Sequence, residues 1–239
     1  MHEHIYTIPV NEAFENCGGN CPFCMLFENL EETELDLILG ASMMEPDVRQ
    51  KTNQKGFCGK HYRRMFTMKN RLGMALMLES HLETLKKDLS PGGLLTRDAS
   101  AKPVKRIQEL EESCYVCDRV EEKFKKMFAT AVYLYETEEE FRKKFNSATV
   151  ICLPHYKRLL GAAAGNVPKK VYTSLFEDAD KLVRGYLGTL KDDVSWFCRK
   201  FDYRFDDQPW GNSKDSVERS IRFLSGGTDQ SFSGGEKRK

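Results

Sequence analysis

The apolar positions of this chain recur every three or four residues over most of its length, which is the period of an amphipathic helix. Such stripes cover residues 26–38, 65–89, 120–128 and 171–190. Ser-Pro-Gly-Gly at 90–93 ends the second stripe, because proline removes a backbone donor and glycine permits left-handed backbone. The only alternation of period two is a short stretch at 5–10, which would suit a single short strand. The pattern therefore predicts an all-α fold.

Breaks in the pattern divide the chain into two helical units. Residues 90–105 collect Pro, Gly, Ser, Lys and Arg between periodic segments, so we expect a unit at 1–93, a linker at 94–105 and a second unit at 106–226. The second unit carries additional C-terminal helices: one from Lys169 to about 190, one around 194–201, and one at 214–224 with Ser213 as its N-cap. Glycine and polar residues dominate 227–239, which predicts a disordered tail.

The clearest chemical signal is a set of four metal ligands that occurs twice. Each copy reads C-x2-C, then C-x2-H, with Cys24 followed by Cys58 after 34 residues and Cys117 followed by Cys152 after 35. Three thiolates and one imidazole form a closed tetrahedral set for zinc. We therefore predict two zinc ions per chain, each bound within one copy: Cys21, Cys24, Cys58 and His61 in the first, and Cys114, Cys117, Cys152 and His155 in the second.

The repeat extends beyond the ligands. With an offset of 93 residues, Arg49 falls on Arg142 and Asn53 on Asn146. His61 and His155 are each followed by a tyrosine, two basic residues and an apolar residue. These matches indicate an internal duplication of a unit of about 90 residues, longer than the usual solenoid periods.

Four protein ligands leave no open position for water, so the sets favour structural zinc over a zinc enzyme. A Cys3His iron–sulfur cluster, or a thiol-based redox protein or sensor, stays open as the alternative, because thiolates bind both metals. Cys17, Cys21 and Cys24 also spell the C-x3-C-x2-C signature of radical S-adenosylmethionine enzymes. That family has an α/β barrel with strands after the motif, whereas a helix is predicted here.

A polar segment precedes the second ligand pair of the first copy. Glu45, Asp47, Arg49 and Asn53 lie close together in sequence and can line a polar pocket beside the metal. A simpler interpretation is a helix that begins at Pro46 with acidic residues in its first turn. The basic residues after His61 alternate with the apolar stripe, which is typical of a solvated helix face. Nucleic-acid binding through this helix stays open as a third hypothesis, behind the binding module and the redox protein.

Composition and charge narrow the classes of partner. The 239 residues carry a formal net charge of +1, which argues against a broad nucleic-acid-binding surface. The first ten residues lack a secretory signal, and no apolar run approaches the roughly 18 residues that a membrane span needs. Reduced cysteines that hold metal indicate a cytoplasmic protein. We expect a binding or interaction module whose partner is a protein or a small molecule.

Several motifs together resemble a bacterial domain-of-unknown-function family. They are Cys-Pro-Phe-Cys at 21–24, Ser-Met-Met-Glu-Pro-Asp-Val-Arg at 42–49, Gly-Phe-Cys-Gly-Lys-His at 56–61, Asn-Arg-Leu-Gly-Met-Ala at 70–75, Phe-Asp-Tyr-Arg at 201–204 and Pro-Trp-Gly at 209–211. The resemblance covers nearly the whole chain. It implies a cytoplasmic bacterial protein of a family without an established activity.

Overall fold

The computed structural model describes residues 4–90 and 98–228. Those residues contain eleven α-helices and no strand, which confirms the all-α prediction. The helices are α1 (Thr7–Glu15), α2 (Pro22–Leu39), α3 (Pro46–Lys55), α4 (Gly59–Thr67), α5 (Arg71–Asp88), α6 (Ala101–Glu111), α7 (Tyr115–Thr137), α8 (Glu139–Ser147), α9 (Leu153–Ala163), α10 (Lys169–Arg199) and α11 (Ser216–Ser225). Short 3-10 helices lie at His4–Tyr6, Ala41–Met44, Tyr203–Phe205 and Gly211–Ser213.

Four local predictions need correction. Residues 5–10 begin a helix, not a strand; Pro9 lies in the first turn, where its missing N–H costs little. The stripe at 65–89 is two helices, because the Asn70 side chain accepts from the Gly73 N–H at 2.8 Å and begins α5. Residues 169–199 form one uninterrupted helix. Ser213 donates its hydroxyl to the Trp210 carbonyl and does not cap α11, which begins at Ser216.

The predicted linker and tail lie partly outside the described residues. Residues 94–97 are not described, and α6 occupies the last part of the predicted linker from Ala101 onward. Residues 229–239 of the predicted tail are also outside the described range, whereas Gly227 and Thr228 are described.

The chain forms two compact units, which differ from the consecutive units predicted from sequence. Unit 1 comprises Met1–Glu28 and Phe124–Lys239, and unit 2 comprises Asn29–Lys123. The chain passes from one unit to the other within α2 and again within α7. Each unit therefore combines residues from both halves of the predicted duplication.

Aromatic side chains build the core of unit 1. Phe23 stacks on Phe128 with ring centroids 4.2 Å apart, and Phe14 meets Phe23 edge-on at 5.4 Å. Phe14 also contacts Phe141 and Phe145 of α8, so α1 and α8 pack together. Farther along the chain, α10 packs against α9 and α11. These contacts hold the starts of α2 and α9, where ligands lie.

In unit 2, α3 and α5 pack against each other, with Thr52, Met77 and His81 buried. Gly73 permits close approach, because a Cβ there would lie only 2.8 Å from the Met43 sulfur. Arg49 ties the helices together by donating Nε to the Met43 carbonyl at 3.1 Å and Nη1 to the Ser80 hydroxyl at 3.0 Å. The packing thus fixes the segment that precedes Cys58.

Candidate metal centres

The eight predicted ligands gather into two groups, and the grouping corrects the pairing expected from sequence. The unit-1 cluster is Cys21, Cys24, Cys152 and His155, and the unit-2 cluster is Cys58, His61, Cys114 and Cys117. Within each cluster the four ligand atoms all lie within 4.8 Å of one another. Each C-x2-C pair therefore meets the C-x2-H pair of the other copy.

The helix lengths agree with this exchange. After Cys24 the chain runs out along the 18 residues of α2, about 27 Å at 1.5 Å per residue, and the ten residues of α3 cover only about 15 Å. In the second copy α7 has 23 residues and α8 only nine, roughly 35 Å against 14 Å. In neither copy is the second helix long enough to bring the chain back to its first ligand pair.

All four ligand pairs lie at helix N-termini. Cys58 and Cys152 are the N-cap residues of α4 and α9, and the histidine of each pair follows in the first turn. Cys21 and Cys114 immediately precede α2 and α7, and the second cysteine of each pair lies in the first turn. The unpaired N–H groups and the positive end of the helix dipole favour thiolates there. Two helix N-termini thus converge on each cluster.

All four side chains of the unit-1 cluster are buried. The His155 Nδ1 lies 3.2 Å from the Cys152 Sγ, 3.4 Å from the Cys24 Sγ and 3.6 Å from the Cys21 Sγ. The Cys24 and Cys152 sulfurs are 3.6 Å apart, much farther than a disulfide bond of about 2.05 Å. The imidazole packs against the Phe124 ring, with centroids 5.3 Å apart.

The three thiols of this cluster shift one another's pKa. Burial alone would raise the pKa of Cys21, but hydrogen bonds with Cys152, Cys24 and His155 hold that pKa well below its ordinary value. Contacts with Cys152 and Cys21 raise the pKa of Cys24, and contact with Cys21 raises that of Cys152. A first thiolate forms readily and opposes the next ones. A divalent cation among the sulfurs relieves that repulsion.

The unit-2 cluster has similar distances but is more exposed. The His61 Nδ1 lies 3.1 Å from the Cys114 Sγ, 3.3 Å from the Cys58 Sγ and 3.5 Å from the Cys117 Sγ, and the Cys58 and Cys117 sulfurs are 3.9 Å apart. Cys117 is exposed and Cys58 half-buried. Burial raises the pKa of Cys114, but hydrogen bonds with His61, Cys117 and Cys58 together outweigh burial and lower that pKa to about 6.

A buried glutamate orients the unit-2 histidine. The His61 Nε2–H donates to the Glu31 Oε1 at 2.9 Å, which leaves Nδ1 directed at the thiols. Lys60 and Arg64 also bind the Glu31 carboxylate, whose side chain is only 4% exposed. Burial would raise the pKa of Glu31, but hydrogen bonds from His61 and Lys60 lower it to about 2. This carboxylate–histidine pair is a common arrangement around protein metal ions.

Backbone contacts bring the two ligand pairs of unit 2 together. The Tyr115 N–H donates to the Gly56 carbonyl at 3.1 Å, and the Ser113 hydroxyl donates to the Lys55 carbonyl at 2.7 Å. Gly56 has φ +60°, and a Cβ there would lie 3.3 Å from the His81 ring. The chain therefore turns at Gly56 directly beside the segment that begins with Cys114.

The four residues of the predicted polar pocket do not all lie together. Arg49 and Asn53 converge on Ser80, whose hydroxyl donates to the Asn53 Oδ1 at 3.0 Å. Glu45 and Asp47 are exposed at the start of α3, and Asp47 makes an ion pair with Lys51 at 3.6 Å. Asn53 also lines a cavity of about 750 Å³ between α3, α5 and α6.

Sequence reasoning missed Glu31, because its partner His61 lies 30 residues away and α2 contains many acidic residues. Cys17 lies outside both clusters; its thiol contacts the Phe14 carbonyl at 3.7 Å. Cys198 is exposed and also belongs to neither cluster. None of the eight cysteines forms a disulfide.

Comparison of the chain with models of protein families identifies its family. A family model described as a family of unknown function, DUF6062, matches residues 1–231. The chain belongs to this family. No curated protein and no solved structure matches this DUF6062 chain. No described helix has both the length and the apolarity needed to cross a membrane.

Proposed function

We propose that this DUF6062 protein binds two structural zinc ions, which join its helices into a scaffold for ligand binding. The distances within the clusters support zinc. A tetrahedral ion with Zn–S of about 2.3 Å and Zn–N of about 2.0 Å places sulfurs about 3.8 Å apart and sulfur and nitrogen about 3.5 Å apart. The Cys24–Cys152 and Cys58–Cys117 sulfur–sulfur distances are 3.6 and 3.9 Å, and the sulfur–nitrogen distances run from 3.1 to 3.6 Å.

The same compactness argues against an iron–sulfur cluster. Ligands of such a cluster bind different iron atoms and must therefore surround the whole inorganic core. Four ligand atoms within 4.8 Å of one another suit a single ion better. Free thiols throughout also fit a reducing cytoplasm, where metal-bound cysteines persist.

The closed ligand sets support a structural role for the ions. Each set already supplies four protein ligands, so a metal-bound water would need a ligand to leave. Each ion would join segments far apart in sequence, since Cys24 and His155 are 131 positions apart and His61 and Cys114 are 53 positions apart. Such links constrain the unfolded chain strongly.

The cavity in unit 2 supports the binding role. Its volume of about 750 Å³ is within the range of small-molecule sites, and nine of the ten residues that line it are polar or charged. Arg106 is fixed there, since it binds Asp88 at 2.9 Å and the Gln54 carbonyl at 2.8 Å. Asn53 contributes from α3, and Lys102 and Lys105 contribute from α6. A small polar molecule is the ligand that this wall suits best.

Metal analysis tests the zinc proposal. We expect two zinc ions per chain and no visible absorbance after purification without air, and we expect a chelator to lower the helical signal. Cys198→Ser is the matched control, since this exposed cysteine lies outside both clusters and its loss should leave both ions bound. Iron with sulfide and a broad visible band would overturn the proposal.

A thermal-shift screen with small polar molecules tests the binding role. A ligand of the cavity should raise the melting temperature of the native chain. Gln54→Trp places a large ring in the cavity from an exposed position, so it should abolish that shift while both zinc ions stay bound. If the shift persisted in this variant, the ligand would bind elsewhere.

A redox function is the second candidate, because the Cys117 thiol of the unit-2 cluster is exposed. Hydrogen peroxide would take two electrons from the Cys58 and Cys117 thiolates. A disulfide would form, the peroxide O–O bond would break, two protons would complete two water molecules, and zinc would leave. Release of one zinc ion by dilute peroxide, with a Cys58–Cys117 disulfide found by mass spectrometry, would favour this candidate. Retention of both ions would favour the structural one.

A further inference from the structure

The segment after α11, residues 226–228, lies directly on the unit-1 cluster, and we refer to it as the C-terminal strap. The Gly227 N–H donates to the Cys24 Sγ at 3.2 Å. Thr228 is 4% exposed, although it lies beyond the last helix. The strap therefore contacts the predicted metal ligand Cys24, which lies 203 positions before Gly227 in the sequence.

Glu28 anchors the strap on the same helix that carries Cys24. The Thr228 N–H donates to the Glu28 Oε1 at 3.1 Å, and the Thr228 hydroxyl donates to the Glu28 Oε2. Cys24 and Glu28 are four residues apart on α2, so their side chains lie on one face of the helix. The anchor and the thiolate together fix the path of the strap across the cluster.

Two glycines make this path possible. Gly226 has φ +84° and Gly227 has φ +110°, both in the left-handed region that other residues rarely adopt. A Cβ at position 226 would lie 3.9 Å from the Cys24 Sγ, which is van der Waals contact. The glycines thus bring a backbone N–H onto the sulfur while the chain reverses after α11.

This contact has a consequence for a bound metal. A hydrogen bond to a metal-bound thiolate stabilises its negative charge, and such outer contacts change metal affinity by about 10- to 100-fold. A cavity of only about 20 Å³, near the size of one water molecule, remains beside Cys21, Cys152 and Gly227. With the strap in place, a chelator has little access to the cluster.

We propose that the C-terminal strap retains the metal ion of the unit-1 cluster and sets the rate at which that ion leaves. The inference rests on the proposed zinc-binding function and adds a role for Gly226, Gly227, Thr228 and Glu28. The unit-2 cluster, with its exposed Cys117, serves as the internal reference.

Two truncations separate the strap from the residues beyond it. Removal of 226–239 deletes the strap, and removal of 229–239 keeps it and is the matched control. Zinc release from the full-length, strap-deleted and control chains is followed with the chelator 4-(2-pyridylazo)resorcinol. We expect release of one of the two ions to accelerate about tenfold or more without the strap, and both rates to stay unchanged in the control.

A milder variant covers the case in which the truncated chain folds poorly. Thr228→Val removes the hydroxyl donor to Glu28 and keeps the chain length. It should accelerate release of the same ion, by less than the truncation, with unchanged helical content. Equal release rates in all four chains would overturn the strap proposal and leave the zinc proposal intact. A full-length chain that binds no metal would overturn both.

Discussion

Replacement of Cys152 by serine distinguishes the observed ligand grouping from pairing within each copy. In the observed grouping Cys152 shares its cluster with Cys21 and Cys24, so Cys152→Ser should cost one zinc ion and free those two thiols. Pairing within the second copy would instead free Cys114 and Cys117. The two groupings therefore predict different reactive cysteines for the same variant.

The expected loss of stability follows from the length of the loop that each metal ion closes. Cys24 and Cys152 are 128 residues apart, and the chain-entropy relation for cross-links gives about 5 kcal/mol for a loop of that length. Cys58 and Cys117 are 59 residues apart, which gives about 4 kcal/mol. Because a typical domain is stable by only about 5–15 kcal/mol, loss of the unit-1 link should remove about a third or more of the stability of unit 1.

Alkylation with iodoacetamide followed by peptide mass spectrometry measures the outcome, with zinc content determined in parallel. We expect one zinc ion to remain and the label to appear on Cys21 and Cys24, while Cys114 stays protected. Cys117→Ser should give the mirror result, with label on Cys58 and Cys114. Label on Cys114 and Cys117 in the Cys152→Ser variant would refute the observed grouping.

Three further predictions test contacts around the clusters and in the core. Glu31→Gln should weaken zinc binding in unit 2 about tenfold, measured by chelator competition, whereas exposed Glu32→Gln should not. Burial and the 2.6 Å hydrogen bond to Asp178 raise the pKa of Tyr135, so unit 1 should lose stability as pH rises above about 10. Tyr135→Phe should flatten that loss in urea unfolding at increasing pH; an unchanged slope would contradict it. Phe14→Ala, at a side chain only 2% exposed, should cost about 3–5 kcal/mol in the same assay, and a cost below about 1 kcal/mol would contradict the packing described.

The helices and the ligands were predictable from sequence because both depend on short-range patterns. Apolar spacing of three and four identified the helical segments, although not all of their ends, and C-x2-C and C-x2-H each place their two ligands within one helical turn. Cys58 and His61, for example, are three residues apart at the start of α4. The local sequence pattern was therefore sufficient to identify each pair of ligands.

The pairing of ligands was not predictable, because it depends on where long helices carry the chain. No feature near Cys24 indicates that its partner is Cys152 rather than Cys58. The unequal lengths of α2 and α3, and of α7 and α8, agree with the exchange but are not a local signal at any ligand.

The outer contacts of the clusters also depend on tertiary structure. Glu31 contacts His61, which is 30 positions away in sequence, and Gly227 contacts Cys24, which is 203 positions away. The glycine pair Gly226-Gly227 looked like the start of a tail because glycine and polar residues follow it. The positive φ angles of both residues serve a turn that only the folded chain reveals.

X-ray absorption at the zinc edge, on full-length protein purified without air, measures the ligands of the proposed zinc ions. We expect two zinc ions per chain, with an average first shell of three sulfurs at about 2.3 Å and one nitrogen at about 2.0 Å. A shell with an oxygen ligand from water, fewer than three sulfurs per ion, or iron in place of zinc would contradict the zinc proposal.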